Sequence, residues 1–177
     1  MKRLALSLLA ALGLVILSMT ETGCSVSGGK LTYEDSIANI AAQRLLQQGD
    51  FALVAERISI GRGGVRSVTP NTNFIIVTGS EATVQASPAI TGGPNGVGGI
   101  TFSGSISNYR VETNKKGQTT AKFHIQSRIG SAEVTIVLEK GYNGATGYVS
   151  GDFNGRDIVF YGSVQASTLS RFIGRER

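Results

Sequence analysis

The chain has 177 residues, a formal net charge of +5 and 41% hydrophobic content, with 24 glycines, one cysteine, one histidine and no tryptophan. That length suits one ordinary domain with a real core. Glycines without a period exclude collagen-like architectures, a single cysteine leaves stability to packing rather than to disulfides, and a lone histidine without a thiol cluster leaves no zinc-type metal site to expect.

Lys2 and Arg3 precede an apolar or small run from Leu4 to Leu17, too short to span a bilayer but suited to the core of an export signal. Thr22 and Gly23 then place small residues before Cys24, the pattern of a bacterial lipoprotein, although Glu21 occupies position −3, where an aliphatic residue is usual. The expected organisation is a signal peptide over 1–23, a flexible tether over 24–31 and a single β-rich domain over 32–177. Losing Lys2, Arg3 and Glu21 with the leader removes two positive charges and one negative, which takes +5 to +4. The remaining charges are scattered, so they read as solvated surface, and an exported chain is not expected to meet nucleic acid.

Thr32 to Gln48 predicts a helix, with Thr32 as N-cap, Glu34 and Asp35 in the first turn and Gly49 as the stop. Ile37, Ile40, Ala41 and Leu45 recur at helical spacing and are expected to form its inner face. Phe51 to Ile60 reads as a strand, followed by a turn at Gly61–Gly64. Asn73–Thr78 and Ala82–Ala86 read as a hairpin around Gly79-Ser80. Pro88–Gly99 reads as a loop and Ile100–Ser103 as a short strand. The loop resembles a phosphate-binding loop only superficially, because no lysine, hydroxyl or helix follows it.

From Ser105 to Val164 four turn signals predict a five-strand antiparallel meander. Lys115-Lys116-Gly117 pairs Val111 with Ala121, Ile129-Gly130 pairs Phe123 with Ile136, Asn143-Gly144 pairs Leu138 with Val149, and Asn154-Gly155 pairs Val149 with Phe160. Two rows result: Val111, Ala121, Leu138, Val149, Phe160, and Tyr109, Phe123, Ile136, Gly151, Ile158. All lie on one face, which is expected to be buried. The fold class expected is mainly β: an antiparallel sandwich or open barrel containing this meander (105–164), with the earlier strands and the helix as the opposing layer. A short basic C-terminal helix is expected from Ser167 to Arg177.

The opposite face carries the candidate chemistry. The predicted register sets Tyr148 opposite Tyr161, with Glu139 beside them as a hydrogen-bond acceptor. An exposed aromatic pair of this kind stacks on sugars or peptides, while also serving cross-strand stability. Asp152 faces Asp157, but two carboxylates alone make a weak cation site. No serine in a nucleophile-elbow context accompanies His124, so no catalytic constellation is recognisable. No cofactor and no metal is expected.

The order of these pieces resembles a known family. A lipoprotein signal, a helix, Phe51-Ala52-Leu53-Val54-Ala55, the stretch Gly98-Gly99-Ile100-Thr101-Phe102-Ser103-Gly104, Ile106-Ser107-Asn108-Tyr109, a Lys-Lys-Gly turn and Asn154-Gly155-Arg156-Asp157-Ile158-Val159-Phe160-Tyr161-Gly162 together resemble domain-of-unknown-function family 4251, small exported lipoproteins of Bacteroidetes. The resemblance covers about residues 45 to 166. It departs at Ala86-Ser87-Pro88-Ala89-Ile90, where an aromatic run like Leu-Pro-Tyr would be expected. The resemblance implies a β-rich fold and an envelope location, and no activity. The functional expectation is a lipoprotein anchored through Cys24, in the outer membrane and facing the periplasm or cell surface. It would be a non-enzymatic domain that binds a ligand, an envelope protein or a glycan through Tyr148, Tyr161 and Glu139. The alternatives are a structural lipoprotein that stabilises an envelope assembly and, more remotely, a hydrolase.

Overall fold

In the computed structural model, residues 30–87, 99–151 and 157–169 are described. Helix α1 (Tyr33–Gln48) begins where expected. The Thr32 hydroxyl accepts from the Asp35 amide at 3.1 Å, and the Asp35 carboxylate accepts from the Thr32 amide at 2.9 Å, a reciprocal capping box. That backbone bond, and then the Thr32 hydroxyl, hold the Asp35 carboxyl below the usual carboxylate range. The helix stops at Gly49, whose φ of 67° is the left-handed cap conformation.

Nine strands follow: β1 (Asp50–Ile60), β2 (Arg66–Ser67), β3 (Phe74–Thr78), β4 (Glu81–Ala86), β5 (Ile100–Thr113), β6 (Thr119–Ser127), β7 (Gly130–Leu138), β8 (Gly144–Gly151) and β9 (Ile158–Gln165). Strands β3 to β9 form an uninterrupted antiparallel run, β1 pairs with β3, and β9 returns to pair with β1 from Ala52–Gln165 to Ile60–Ile158. The sheet therefore closes on itself as an eight-strand barrel, with β2 a short extra strand against the far end of β1. This corrects the expectation of a sandwich or open barrel. The strands before Ser105 are not an opposing layer; they complete the same sheet. The C-terminal expectation also changes: the described part of that stretch is a single 3-10 turn, Ser167–Leu169, and residues 170–177 lie outside the described residues.

Closure works because the inward positions alternate large and small. Phe51, Phe102, Phe123 and Phe160 fill the barrel beside Ala82, Ala121, Ala132 and Ala145. Gly147 illustrates the fit: a Cβ there would lie 2.5 Å from Leu53 Cδ2 and 2.9 Å from Ile75 Cδ1. Between Ala55 and Arg57 a bulge shifts the β1–β9 register, and a Cβ at Gly162 would meet the Val54 carbonyl oxygen at 1.8 Å. Only glycine permits that approach.

The two predicted rows do face inward, but three pairings move, those of Phe123 and Val149 by two residues and that of Leu138 by four. Phe123 pairs with Val134, Leu138 with Ala145 and Val149 with Ile158, whereas Val111 pairs with Ala121 as expected. An even slip keeps every side chain on its face. Ile100–Ser103 is not a separate strand but the start of β5, because Gly104 serves a close approach and does not break the strand: a Cβ there would lie 2.1 Å from the Gln126 carbonyl oxygen.

Helix α1 lies across one end of the barrel, touching β1, β6 and β9. Its inner face is not the one expected. Asn39, Ala42 and Leu46 are buried, Leu45 is partly buried, and Ile37, Ile40 and Ala41 face solvent. The reason is polar as well as apolar. The Asn39 amide donates at 2.8 Å to the carbonyls of both Glu139 and Tyr142 in the β7–β8 connection, and the Tyr109 hydroxyl donates to the Leu46 carbonyl.

Candidate functional site

Tyr148 stands on the outer wall of β8, 48% exposed. Its cross-strand partners are Thr135 on β7 and Val159 on β9. Tyr161 pairs with Thr146, so the two tyrosines are diagonal neighbours and not the directly facing pair that the sequence predicts. The Asn154-Gly155 turn that set the expected pairing lies outside the described residues. Tyr161 is half-buried, with the Arg57 guanidinium 5.6 Å from its ring centroid, a cation–π arrangement across the β1–β9 seam.

Glu139 is not beside this pair. It follows the end of β7, its backbone amide donates to the Gly144 carbonyl at 3.0 Å, and its carboxylate accepts from the Gln118 side chain at 3.4 Å. Its own carbonyl is engaged by Asn39. Glu139 therefore belongs to the joint between helix and barrel. Asp152 lies outside the described residues, so the facing-carboxylate arrangement with Asp157 is not described. The phosphate-loop lookalike falls almost wholly outside them too.

The cross-strand row through Tyr148 continues past Thr135 to Lys122 on β6 and Arg110 on β5. Two cations thus face each other directly across adjacent strands, a pairing that costs stability unless something anionic offsets it. Beside them β5 carries a bulge between Ser107 and Arg110, where Asn108 adopts φ 55°. A depression of about 290 Å³ opens there, lined by Asn108, Arg110, Lys122, His124 and Glu133. His124 pairs with Glu133 in the next row. Among the described residues no group of three His, Cys, Asp or Glu side chains is placed to hold a metal.

A larger groove, about 890 Å³, runs along the outer wall of β3 to β6. Its walls are mostly hydroxyl and amide: Thr83 and Ser103 lie 2.9 Å apart, with Gln85, Thr101 and Ser105 around them and Arg128 at one end. Sequence reasoning missed this groove. Its signal was the period-two recurrence of small polar residues at Thr83 and Gln85 and at Thr101, Ser103 and Ser105.

Residues 34–164 match the family described as Domain of unknown function (DUF4251). The chain belongs to this family. The match spans α1 through the body of β9, and so covers the whole closed barrel. A solved relative, the crystal structure of a DUF4251 family protein from Bacteroides eggerthii DSM 20697 at 1.95 Å resolution, is 32% identical with a TM-score of 0.69. The similarity covers 81% of this chain and 98% of that one. No protein of curated function matches.

Proposed function

We propose that this DUF4251 protein is a lipid-anchored envelope lipoprotein whose barrel is a non-enzymatic binding module, meeting its ligand or partner on the outer wall around Tyr148 and Tyr161. The observation that carries this reading is the contrast between the two faces of the sheet. The inner face is filled with side chains, to the point that a methyl group at Gly147 would collide with two neighbours. The outer wall instead holds an exposed, rigid aromatic at Tyr148, in one row with Thr135, Lys122 and Arg110. Such a surface offers stacking, hydroxyl and cationic contacts at low entropic cost. That combination suits a glycan or an acidic segment of an envelope protein. Asp35 and Tyr109, whose protonation the fold shifts, serve the helix and not a reacting centre: Asp35 caps its start, and Tyr109 ties its end to the barrel.

Anchoring through Cys24 rests on the leader, the small residues before the thiol and the lack of any second cysteine. The test is affinity capture of the native lipoprotein from solubilised envelope, run with the parent and with a Tyr148→Ser/Tyr161→Ser variant. The partner retained by the parent should bind the variant more than tenfold more weakly, equivalent to about 1.4 kcal/mol. Equal retention by the two proteins overturns the placement of the site. Cys24→Ala, tested separately, should release a folded domain from the membrane fraction.

A further inference from the structure

Helix α1 carries apolar residues on two opposite sides. Ala42 and Leu46 enter the barrel core. Tyr33, Ile37 and Ile40, spaced four and three residues apart, fall in one stripe at 100° per residue on the far side. They are 81%, 50% and 51% exposed, and Leu31, just before the N-cap, is 56% exposed. Arg44, one turn beyond Ile40, is exposed on the same side. Single apolar residues at a surface are ordinary, but an aligned set marks a contact surface. The barrel already uses the other side of this helix, so the stripe has no part in holding the fold.

We infer that this stripe rests on the lipid surface to which Cys24 is anchored. The inference depends on the anchoring proposed above. Eight residues, 25–32, separate Cys24 from Tyr33. The nine steps from Cys24 to Tyr33 reach at most roughly 32 Å, at about 3.6 Å each. The start of the helix is therefore held close to the bilayer, and the stripe is the first folded surface the membrane meets. Its composition suits that depth: a tyrosine at the level of the headgroups, aliphatic side chains entering the acyl boundary, and an arginine stem able to reach back to phosphate. The contact needs little intrinsic affinity, because the tether keeps it at high effective concentration. The outcome is a domain that stands with its helix down, presenting the barrel walls away from the lipid.

The chain has no tryptophan, so Tyr33→Trp introduces a single reporter. The lipidated mature protein is extracted from membranes, its mass is measured to confirm acylation at Cys24, and it is reconstituted on phosphatidylethanolamine/phosphatidylglycerol vesicles with and without brominated acyl chains. The expected result is quenching of the indole by the brominated lipid and slowed amide exchange over residues 33–41. A Tyr33→Ser/Ile37→Ser/Ile40→Ser variant should still float with the vesicles through its lipid while losing that slowed exchange. An acylated, vesicle-bound protein whose indole is not quenched overturns this inference alone. A membrane-extracted protein without the acyl mass overturns the anchoring and this inference together. Concentration-dependent protection of the same helix in the absence of lipid assigns the stripe to a second copy and also overturns it.

Discussion

The side-chain amide of Asn39 donates to the Glu139 carbonyl across 100 positions of sequence, and so ties the helix to the β7–β8 connection. The same amide reaches the Tyr142 carbonyl, and the Asn39 carbonyl oxygen accepts from Gln43, so the buried side chain is fully used. Asn39→Ala should destabilise the domain by about 1–3 kcal/mol, since it leaves two carbonyls without their donor. Urea unfolding measures this, and amide exchange should quicken around residues 139–143 and not in β3 or β4.

The two sides of α1 should answer differently to truncation. Leu46→Ala is expected to cost about 2–5 kcal/mol, as for a large side chain removed from a packed core. Ile40→Ala should cost less than about 0.5 kcal/mol. Equal losses in thermal or urea unfolding would mean that the helix is rotated about its axis, with Ile40 turned toward the barrel.

Gly147→Ala should destabilise by about 1–3 kcal/mol, because the added methyl has to displace Leu53 and Ile75 from across the barrel. Gly64→Ala is the control: nothing lies within 4 Å of a Cβ there, and its cost should be near zero. The comparison separates overpacking from any general effect of replacing glycine.

Burial pushes the Tyr109 phenol up to about 12, from an ordinary value near 10. The folded state favours the protonated phenol, so its contribution is complete below about pH 10 and is lost as pH rises toward 12. Spectrophotometric titration should find one of the five tyrosines ionising late, and Tyr109→Phe should remove that late step. The variant should be less stable below pH 10, having lost the bond to Leu46, and its stability should fall less steeply above it.

Much of the β architecture was legible because a period of two survives errors in register. Asn143-Gly144 reads as a hairpin turn, yet Asn143 extends the β8 side of the β8–β9 ladder, its carbonyl accepting from the Val164 amide of β9 at 2.9 Å. The reversal is made instead around Gly141, at φ 92°. Arg128-Ile129, and not Ile129-Gly130, connects β6 to β7, since Ser127 pairs with Gly130. Both displacements are even, so the inner face was read correctly while the partners were not. Closure was not legible, because the pairing of β1 with β9 leaves no local signal in either strand. The helix boundaries followed from Thr32 and Gly49, but its orientation did not. Apolarity alone points to the stripe of Ile37 and Ile40 as the inner one, whereas the barrel end needs an amide at position 39. In the candidate site, Tyr148 and Tyr161 were rightly placed on the outer wall. Their alignment failed with the β8–β9 register, and Glu139 was lost to the tertiary joint.

If the chain is exported as proposed above, the ladder between β1 and β9 also bears on that passage. Its partners include Ala52 and Gln165, near opposite ends of the domain. For a chain exported leader first, β9 would cross after every other described strand, and the barrel has no seam to seal until it arrives. Contacts so distant in sequence form slowly. The topology would thus keep the polypeptide threadable during such transit, and defer the step that hides its strand edges until β9 has arrived.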